Sequence, residues 1–416
     1  MDSLESLRAQ IDAVDEKMKE LFLSRMELIE KVHAVKSESG KGVEDSGRET
    51  EMLQKASLEL LDSPLCDYYL DFLRSEMEIS KRYQRDLGDH GGILIESGSL
   101  KNLSRYVNLD RKVFLLTDSG IPGPYVDTVL SQCRDAFLYT LPQGEENKNS
   151  ENYLAILKSL SDNGFTRKDC LVALGGGVVT DMGGFVSSTF LRGIGCCLIP
   201  TTILAQVDAS VGGKNGINLG KDKNRAGTIR NPQFVLIDPS LTKTLDDRQK
   251  ANGLAEAVKT GLILDEKIIE LFENGSPEEN LEAIVSLCVA AKREVVLKDP
   301  FEKNIRRCLN FGHTLGHGIE SLGNFKTVLH GEAVAMGMVP MCAPDVKKRL
   351  LPILQSLHLD PYWDGDYEEL IKVISRDKKC EDNYIYEVFC PKVGNYEIRK
   401  TKPEDIVNLL RREEKP

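Results

Sequence analysis

Apolar residues recur along the first 36 positions in alternating steps of three and four: Leu4, Leu7, Ile11, Val14, Met18, Leu21, Leu28, Val32 and Val35. That spacing keeps one face of an α-helix apolar, and position 25 of the same series is Arg25. A helix of this length runs ~50 Å at 1.5 Å per residue, and so long a stripe predicts a partner helix. Ser39-Gly40-Lys41-Gly42 ends it. Shorter helical patterns are predicted at 46–61 and 65–86, parted by Asp62-Ser63-Pro64. Beyond Gly88, Gly91 and Gly92 the texture changes. Residues 112–117, 170–174 and 234–238 are short apolar runs that read as strands, alternating with helical stretches such as 150–162. Such alternation predicts a parallel α/β sheet. From about 250 onward the strands fade, and helical patterns dominate at 252–264, 278–297, 312–322 and 331–347. The predicted division is an all-α three-helix module at 1–87, a linker at 88–92, an α/β domain at 93–248 and an all-α domain at 249–416.

Charge and composition narrow the function classes. The 416 residues carry 65 acidic and 54 basic side chains, a net charge of −11. That is no electrostatic footprint for nucleic acid or an anionic membrane. No apolar run approaches the ~18 residues of a membrane span, and the N-terminus lacks the basic and apolar regions of a secretory signal. A cytoplasmic protein is expected. Ten cysteines lie scattered without C-x-x-C spacing, which suits free thiols better than disulfides or a Cys-ligated zinc. Residues 1–89 hold 21 acidic and 13 basic groups. An anion site there therefore depends on individually placed Arg and Lys.

Arg25 and Lys36 are eleven residues apart, only about 20° off whole turns, so they share a helix face ~16 Å apart. Arg8 lies about 100° round. A cation on a buried face needs a paired anion, and taken alone Arg25 fits an ion pair with Asp45 or Glu49, or a snorkelling side chain. The wider set is more specific: L-x-x-L-R-x-x-I-D-x-x-D from Leu4 to Asp15, then Arg25, Lys36, Asp45-Ser46-Gly47-Arg48-Glu49, and Ser80 with Gln84. Over residues 1–86 this resembles the all-helical chorismate mutase family. The resemblance implies conversion of chorismate to prephenate without metal, cofactor or nucleophile. Such a site clamps a flexible dicarboxylate in a reactive chair and stabilises charge developing on its ether oxygen. It implies that Arg8, Arg25 and Arg48 hold the carboxylates with the bidentate geometry Arg supplies. Lys36 and Gln84 would donate to the ether oxygen, and Glu49 and Asp45 would hold the hydroxyl with Ser80 in support. It also implies an intertwined homodimer, with Arg8 crossing into the neighbour's site.

The second signal follows the run 170–174. Gly175-Gly176-Gly177-Val178-Val179-Thr180-Asp181-Met182-Gly183-Gly184-Phe185 reads as a glycine turn opening a helix, an arrangement that lets backbone N–H groups approach a diphosphate. A purely structural turn is the alternative. Three of the six histidines, His313, His317 and His330, fall within 18 residues. A cluster of that kind suggests a metal, and spacing alone favours His313 with His317, one turn apart.

Phe190-Leu191-Arg192-Gly193, Pro200-Thr201-Thr202, Asp208 to Lys214, Gly253 to Lys259, Arg306 to His313 and Leu329-His330-Gly331-Glu332 occur in order. Together they resemble 3-dehydroquinate synthase, of the sugar-phosphate cyclase superfamily, over residues 92–400. The α/β domain is then expected to be a Rossmann-like NAD domain and the helical domain a metal-binding one. Against the spacing argument, the resemblance implies zinc or cobalt held by Glu256, His313 and His330, with His317 left for catalysis or substrate. The implied reaction converts 3-deoxy-D-arabino-heptulosonate 7-phosphate to 3-dehydroquinate and phosphate, NAD taking a hydride and returning it. Implied substrate contacts are Lys214, Asn224, Lys292, Arg306 and Lys378 or Lys379 at carboxylate or phosphate, and Lys259, Asn310 and His317 around the ring. Arg192 would reach phosphate in a neighbouring protomer. Implied cofactor contacts are Asp118, Glu145 and Lys148 for the adenosine half, with Gly176, Gly177, Val178, Asp181, Thr201, Thr202, Asp208, Lys223 and Thr244 for the remainder.

Three departures stand out: residues 221–228 are less apolar than the family's run, residues 244–249 lack its common proline and glutamate, and Pro300 stands where an acidic residue is typical. The expectation is a bifunctional enzyme acting on small molecules as a homodimer or higher oligomer. A mutase module that senses chorismate or prephenate for the synthase, or another sugar-phosphate cyclase, are the alternatives.

Overall fold

The computed structural model describes residues 3–38, 46–88, 92–220, 222–300, 302, 304–323, 327–375 and 384–413, with side chains at 33–34, 37–38, 46 and 82–88 excepted. The chain forms two compact units, Met1–Gly92 and Ile93–Pro416.

The first unit is three helices: α1 (Leu4–Glu38), α2 (Ser46–Glu59) and α3 (Cys66–Gly88). Pro64, which has no N–H to donate, lies in the turn between α2 and α3. Both α1 and α2 pack on α3, around a small core of Met26, Ala56, Leu73 and Met77. Among the described residues the long apolar stripe stays open to solvent. Leu4, Leu7, Ile11, Val14, Met18, Leu21, Leu28, Val32 and Val35 all remain exposed, Leu21 by 71%.

The second unit opens with an α/β layer: β1 (Gly92–Ile95), β2 (Lys112–Asp118), α4 (Gly123–Leu130), β3 (Asp135–Leu141), α5 (Ser150–Asp162), β4 (Cys170–Gly175), α6 (Gly177–Thr189) and β5 (Gly195–Pro200). An antiparallel hairpin of β6 (Lys214–Leu219) and β7 (Asp222–Ile229) precedes β8 (Phe234–Ile237). The main sheet has the order β1-β8-β5-β4-β2-β3, with β3, β2, β4, β5 and β8 pairing in parallel. Every residue of β4 and β5 is buried, as expected for parallel strands covered on both faces. In the hairpin, a Cβ on Gly227 would meet the Asn215 carbonyl oxygen at 2.0 Å, so only glycine lets the strands close.

The helical layer follows: α7 (Asp247–Ile263), α8 (Glu266–Glu273), α9 (Leu281–Lys298), α10 (His313–Leu322), α11 (His330–Met338), α12 (Pro344–Ser356), α13 (Tyr367–Ser375) and α14 (Pro403–Arg411). Asp246 caps α7 by accepting from the Gln249 N–H at 2.8 Å, so this helix starts two residues before the division drawn from sequence at 249. From Ala251 to Ile263 every residue of α7 is buried, which makes it the central helix of the layer. Two patterns differ from expectation. The helix predicted at 331–347 is broken into α11 and α12, because Pro340 and Pro344 lack the N–H that would continue it. The closing domain also contains an antiparallel pair, β9 (Ile385–Phe389) and β10 (Glu397–Thr401), whose five-residue runs are too short to stand out against the helical periodicity. All nine described cysteines are free. Among the described residues no helix is long and apolar enough to cross a membrane.

Candidate active sites

Glu256 and Lys259 lie one turn apart on α7 and so share a face. The side chains are 1% and 2% exposed, and Lys259 Nζ sits 2.5 Å from Glu256 Oε2. Lys259 also donates to the Leu309 carbonyl at 3.0 Å. His313 opens α10 directly after Gly312, whose φ is 73°. A Cβ there would lie 2.9 Å from the Val334 carbonyl oxygen, so the glycine seats α10 against α11. His330 opens α11. Its helix is fixed by Glu332, which accepts from the Leu329 N–H at 2.8 Å and takes a bidentate grip from Arg248 at 2.6 and 2.8 Å.

These elements bring His313 Nε2 and His330 Nε2 to 3.6 and 3.5 Å from Glu256 Oε1. Neither Glu256 oxygen makes a hydrogen bond of regular geometry, although both are sealed from solvent. The imidazole tautomers are set from the far side. His313 Nδ1 faces the Phe311 carbonyl at 3.0 Å and His330 Nδ1 faces Glu320 Oε2 at 3.0 Å, both pure acceptors. Each Nδ1 therefore carries a proton, and each Nε2, on the other side of its ring, is directed at the carboxylate. Burial pushes the Glu256 carboxyl up, but Lys259 and the two imidazoles outweigh it and hold it well below the usual range. Burial together with Lys259 holds His313 well below the usual imidazole value. Burial lowers His330 too, yet Glu256 and Glu320 lift it to about 9. The Glu256 carboxylate and two imidazoles thus converge on one point that attracts positive charge, as the raised His330 value shows. One carboxylate and two imidazoles form a set that suits a catalytic zinc or cobalt and leaves coordination positions open.

Asp208 links this centre to further cations, interacting with Lys259 and Glu256 as well as with Lys292. Lys292 Nζ donates to Asp208 Oδ1 at 2.8 Å and to its carbonyl at 2.6 Å, with Asp208 on a π-helical turn, Ala205–Ala209. Burial pulls both Lys292 and Arg306 below their usual values. Arg306 donates to the Pro300 and Gly212 carbonyls at 2.8 and 3.2 Å, while its buried Nε has no partner. Lys214 ion-pairs with Glu302, which also accepts from Asn310 Nδ2 at 3.0 Å. The His317 ring centroid lies 5.1 Å from that of His313 and 5.9 Å from that of His330. The group that gathers on Glu256 is His313 with His330, while His317 groups with Glu320 and His330; spacing alone favours His313 with His317. Arg192 is exposed with φ 65° and takes no part in these contacts.

The cofactor candidates collect at the carboxyl ends of the strands. The chain leaves β2 for the edge strand β3, then returns to β4 on the other side of β2. That reversal opens a crevice between the ends of β2 and β4, the place where such sheets bind dinucleotides. Asp118 ends β2 there, and Gly176-Gly177-Val178 opens α6 at the end of β4. Gly176 caps α6 without a side chain, and a Cβ on it would lie 3.1 Å from Thr202 Cγ2. The adjoining Thr201 hydroxyl is buried without a partner. These residues fit a diphosphate. Lys148 joins Asp181 at 2.5 Å and Asn224 at 2.7 Å, and Glu145 accepts from Asn218 Nδ2 at 2.8 Å. Lys223 is turned toward Glu320 at 3.0 Å, and Thr244 donates to the Leu241 carbonyl at 3.4 Å.

In the first unit Arg25 Nε pairs with Glu76 at 3.0 Å, and its Nη1 donates to Ser80. Glu49 pairs with Lys81 at 3.1 Å. Arg8 and Arg48 are exposed and Lys36 is half-buried. Asp45, Lys378 and Lys379 lie outside the described residues, as does the Gln84 side chain.

The 3-dehydroquinate synthase N-terminal and C-terminal families match residues 138–252 and 253–380, and the chorismate mutase type II family matches residues 7–85. The chain is 40% identical over 331 residues to the 3-dehydroquinate synthase of Streptococcus thermophilus strain CNRZ 1066, covering 74% of this chain and 93% of that protein. The chain belongs to the 3-dehydroquinate synthase family. It is a fusion of a type II chorismate mutase domain with the domains of that synthase. The synthase of Lactococcus lactis subsp. cremoris strain MG1363 is 35% identical over 351 residues, 79% of this chain and 99% of that one. The synthase fold also matches 2-deoxy-scyllo-inosose synthase complexed with carbaglucose-6-phosphate, NAD+ and Co2+, with TM-score 0.70 and 22% identity over 77% of this chain and 96% of that chain. The 2-epi-5-epi-valiolone synthase of Streptomyces hygroscopicus subsp. jinggangensis 5008, with NAD+ and Zn2+ bound, matches with TM-score 0.70 and 23% identity over 78% and 97%.

Sequence reasoning missed several neighbours in both units. In the synthase unit these are Glu320 and Glu302; in the mutase helices they are Glu76 and Lys81. Glu320 was within reach of pattern analysis. It lies seven residues after His313, only about 20° off two full turns, on the face that carries the histidines. Glu302 and Glu76 carry no such signal, because each meets its cation across different elements.

Proposed function

We propose that the synthase unit holds its divalent metal, zinc or cobalt, on Glu256, His313 and His330, and takes NAD in the crevice between the ends of β2 and β4. When bound, the metal would supply Lewis acidity and NAD would supply reversible hydride transfer. The chain's own part is to hold an anionic sugar acid beside both. Lys259 compensates the buried Glu256 carboxylate and faces the ring hydroxyls with Asn310 and His317. Lys292, whose charge is already matched by Asp208, fixes one side of the anion site. Arg306 offers its unpartnered buried Nε to a carboxylate or phosphate, and Lys214 and Asn224 close the set, with Lys378 and Arg192 as further anion contacts. Asp118, Glu145, Lys148, Asp181, Thr201, Thr202, Asp208, Lys223 and Thr244 orient the cofactor around the Gly176-Gly177-Val178 turn.

In the mutase unit Arg25 exchanges Glu76 for a substrate carboxylate, beside Arg48 and Ser80. Lys36 and Gln84 serve the ether oxygen, and Glu49 with Asp45 the hydroxyl. Arg8 completes a neighbour's site in a homodimer built on the exposed stripe of α1. The proposed domain limits are 1–87, 93–248 and 249–416, joined at 88–92.

The observation that carries the synthase reading is the sealed Glu256 carboxylate with His313 Nε2 and His330 Nε2 gathered 3.6 and 3.5 Å from its Oε1. Its test is a paired assay on metal-loaded protein, following phosphate release from 3-deoxy-D-arabino-heptulosonate 7-phosphate with catalytic NAD⁺, and chorismate loss separately. Both activities are expected. Absence of phosphate release with metal and NAD bound would move the substrate to another sugar phosphate. A change in synthase rate with prephenate would make the mutase module a sensor as well as a catalyst.

A further inference from the structure

Glu320 lies at the inner end of α10 and is only 2% exposed. Both of its oxygens are in use. Oε2 accepts from His330 Nδ1–H at 3.0 Å, and Oε1 ion-pairs with Lys223 Nζ at 3.0 Å. Lys223 comes from β7 of the hairpin, 97 residues away in sequence. A sealed carboxylate must be paired and hydrogen-bonded, and His330 and Lys223 share that task, one on each oxygen. His317, Glu320 and His330 are also close enough to group around a cation. That cluster is already committed, because His330 Nδ1 carries the proton given to Oε2 and Lys223 neutralises Oε1. The ring nitrogen left for a metal on His330 is Nε2, which points at Glu256.

We propose that Glu320 is a positioning residue that fixes the tautomer and ring plane of His330, and that Lys223 locks Glu320 from the β6–β7 hairpin. The chain Lys223–Glu320–His330 thus ties the hairpin, which also carries Lys214 and Asn224, to the metal centre. Outer partners that orient a ligating imidazole typically change metal affinity by about 10–100-fold. The inference rests on the placement of the metal at Glu256, His313 and His330.

The test is zinc affinity of the full chain, measured by competition with a chelating dye. Glu320→Ala is expected to bind zinc about 10–100-fold more weakly. Glu320→Gln keeps an oxygen that accepts from Nδ1–H and is expected to lose less. Lys223→Met is expected to weaken zinc with His330 otherwise intact. In Glu320→Gln excess zinc should restore synthase kcat with KM for the heptulosonate phosphate unchanged, a split that general unfolding would not produce. His313→Ala tests the underlying placement. If it binds zinc like the parent, the metal assignment fails. If it loses zinc while Glu320→Gln and Lys223→Met both bind as tightly as the parent, the positioning role is overturned, whether or not Glu320→Ala folds.

Discussion

Lys259 and Glu256 form an ion pair 2.5 Å long on one face of α7, with both side chains almost sealed from solvent. Removing one partner of a buried pair leaves an uncompensated charge and costs about 3–5 kcal/mol. Lys259→Met should destabilise the metal-free synthase unit by that amount. Zinc would then neutralise the stranded Glu256, so the deficit should shrink in metal-loaded protein. Denaturant unfolding with and without zinc checks this. An equal deficit in both states would mean that Glu256 does not face the metal.

His317 adjoins the two histidines proposed as ligands, its ring centroid 5.1 Å from that of His313, but the Glu256 cluster closes without it. His317→Ala is expected to keep zinc at one equivalent while synthase kcat falls about 10²-fold or more, the range of a lost proton-transfer group. Metal analysis beside steady-state kinetics separates the two. Loss of zinc in this variant would return His317 to the ligand set.

Glu387 on β9 gives the unit a pH signature away from the metal. Burial raises its carboxyl to about 7, with Arg399 opposing, and Oε2 has no hydrogen-bond partner. A carboxyl with a raised folded pKa binds more protons folded than unfolded between its ordinary value and about 7. Stability therefore falls as pH climbs through that window and levels off above it. Glu387→Gln should flatten this slope and melt higher than the parent at pH 8. Thermal midpoints at pH 5 and pH 8 measure it; an unchanged slope would remove Glu387 as its source.

Arg25 meets both Glu76 and Ser80, a forked grip that lysine cannot reproduce. Arg25→Lys is expected to slow chorismate conversion by about 10²-fold, the scale of a misplaced substrate. Phosphate release by the synthase should stay at the parental rate. A fall in both activities would show that the units are not independent.

The stripe of α1 leaves Leu21 and Leu28 exposed by 71% and 58% within the chain. Replacing both with Glu should shift the full chain toward the monomer in sedimentation velocity. It should also lower mutase activity, since Arg8 would no longer reach a neighbour. An unchanged association state would place the oligomer contact elsewhere.

Much of this was legible from pattern. The strand runs at 112–117 and 170–174 and the helix at 150–162 match β2, β4 and α5 closely, because buried parallel strands and an amphipathic helix write their burial into every residue. The hairpin β6–β7 was invisible: its strands mix glycine, lysine and asparagine, and what selects it is the close approach at Gly227. The candidate metal cluster was half visible. Histidine spacing pointed to α10 and paired His313 with His317, since a helix face cannot reveal that His330 and Glu256 approach His313 from α11 and α7. The partners Glu76 and Glu302 depend on contacts between elements and left no local trace.

The most direct measurement is of both activities in one preparation of His313→Ala. The account predicts that phosphate release from the heptulosonate phosphate is lost together with zinc, while chorismate consumption proceeds at the parental rate. Synthase turnover that survives, or a mutase rate that falls with it, would contradict a metal centre at His313 serving one of two separate active sites.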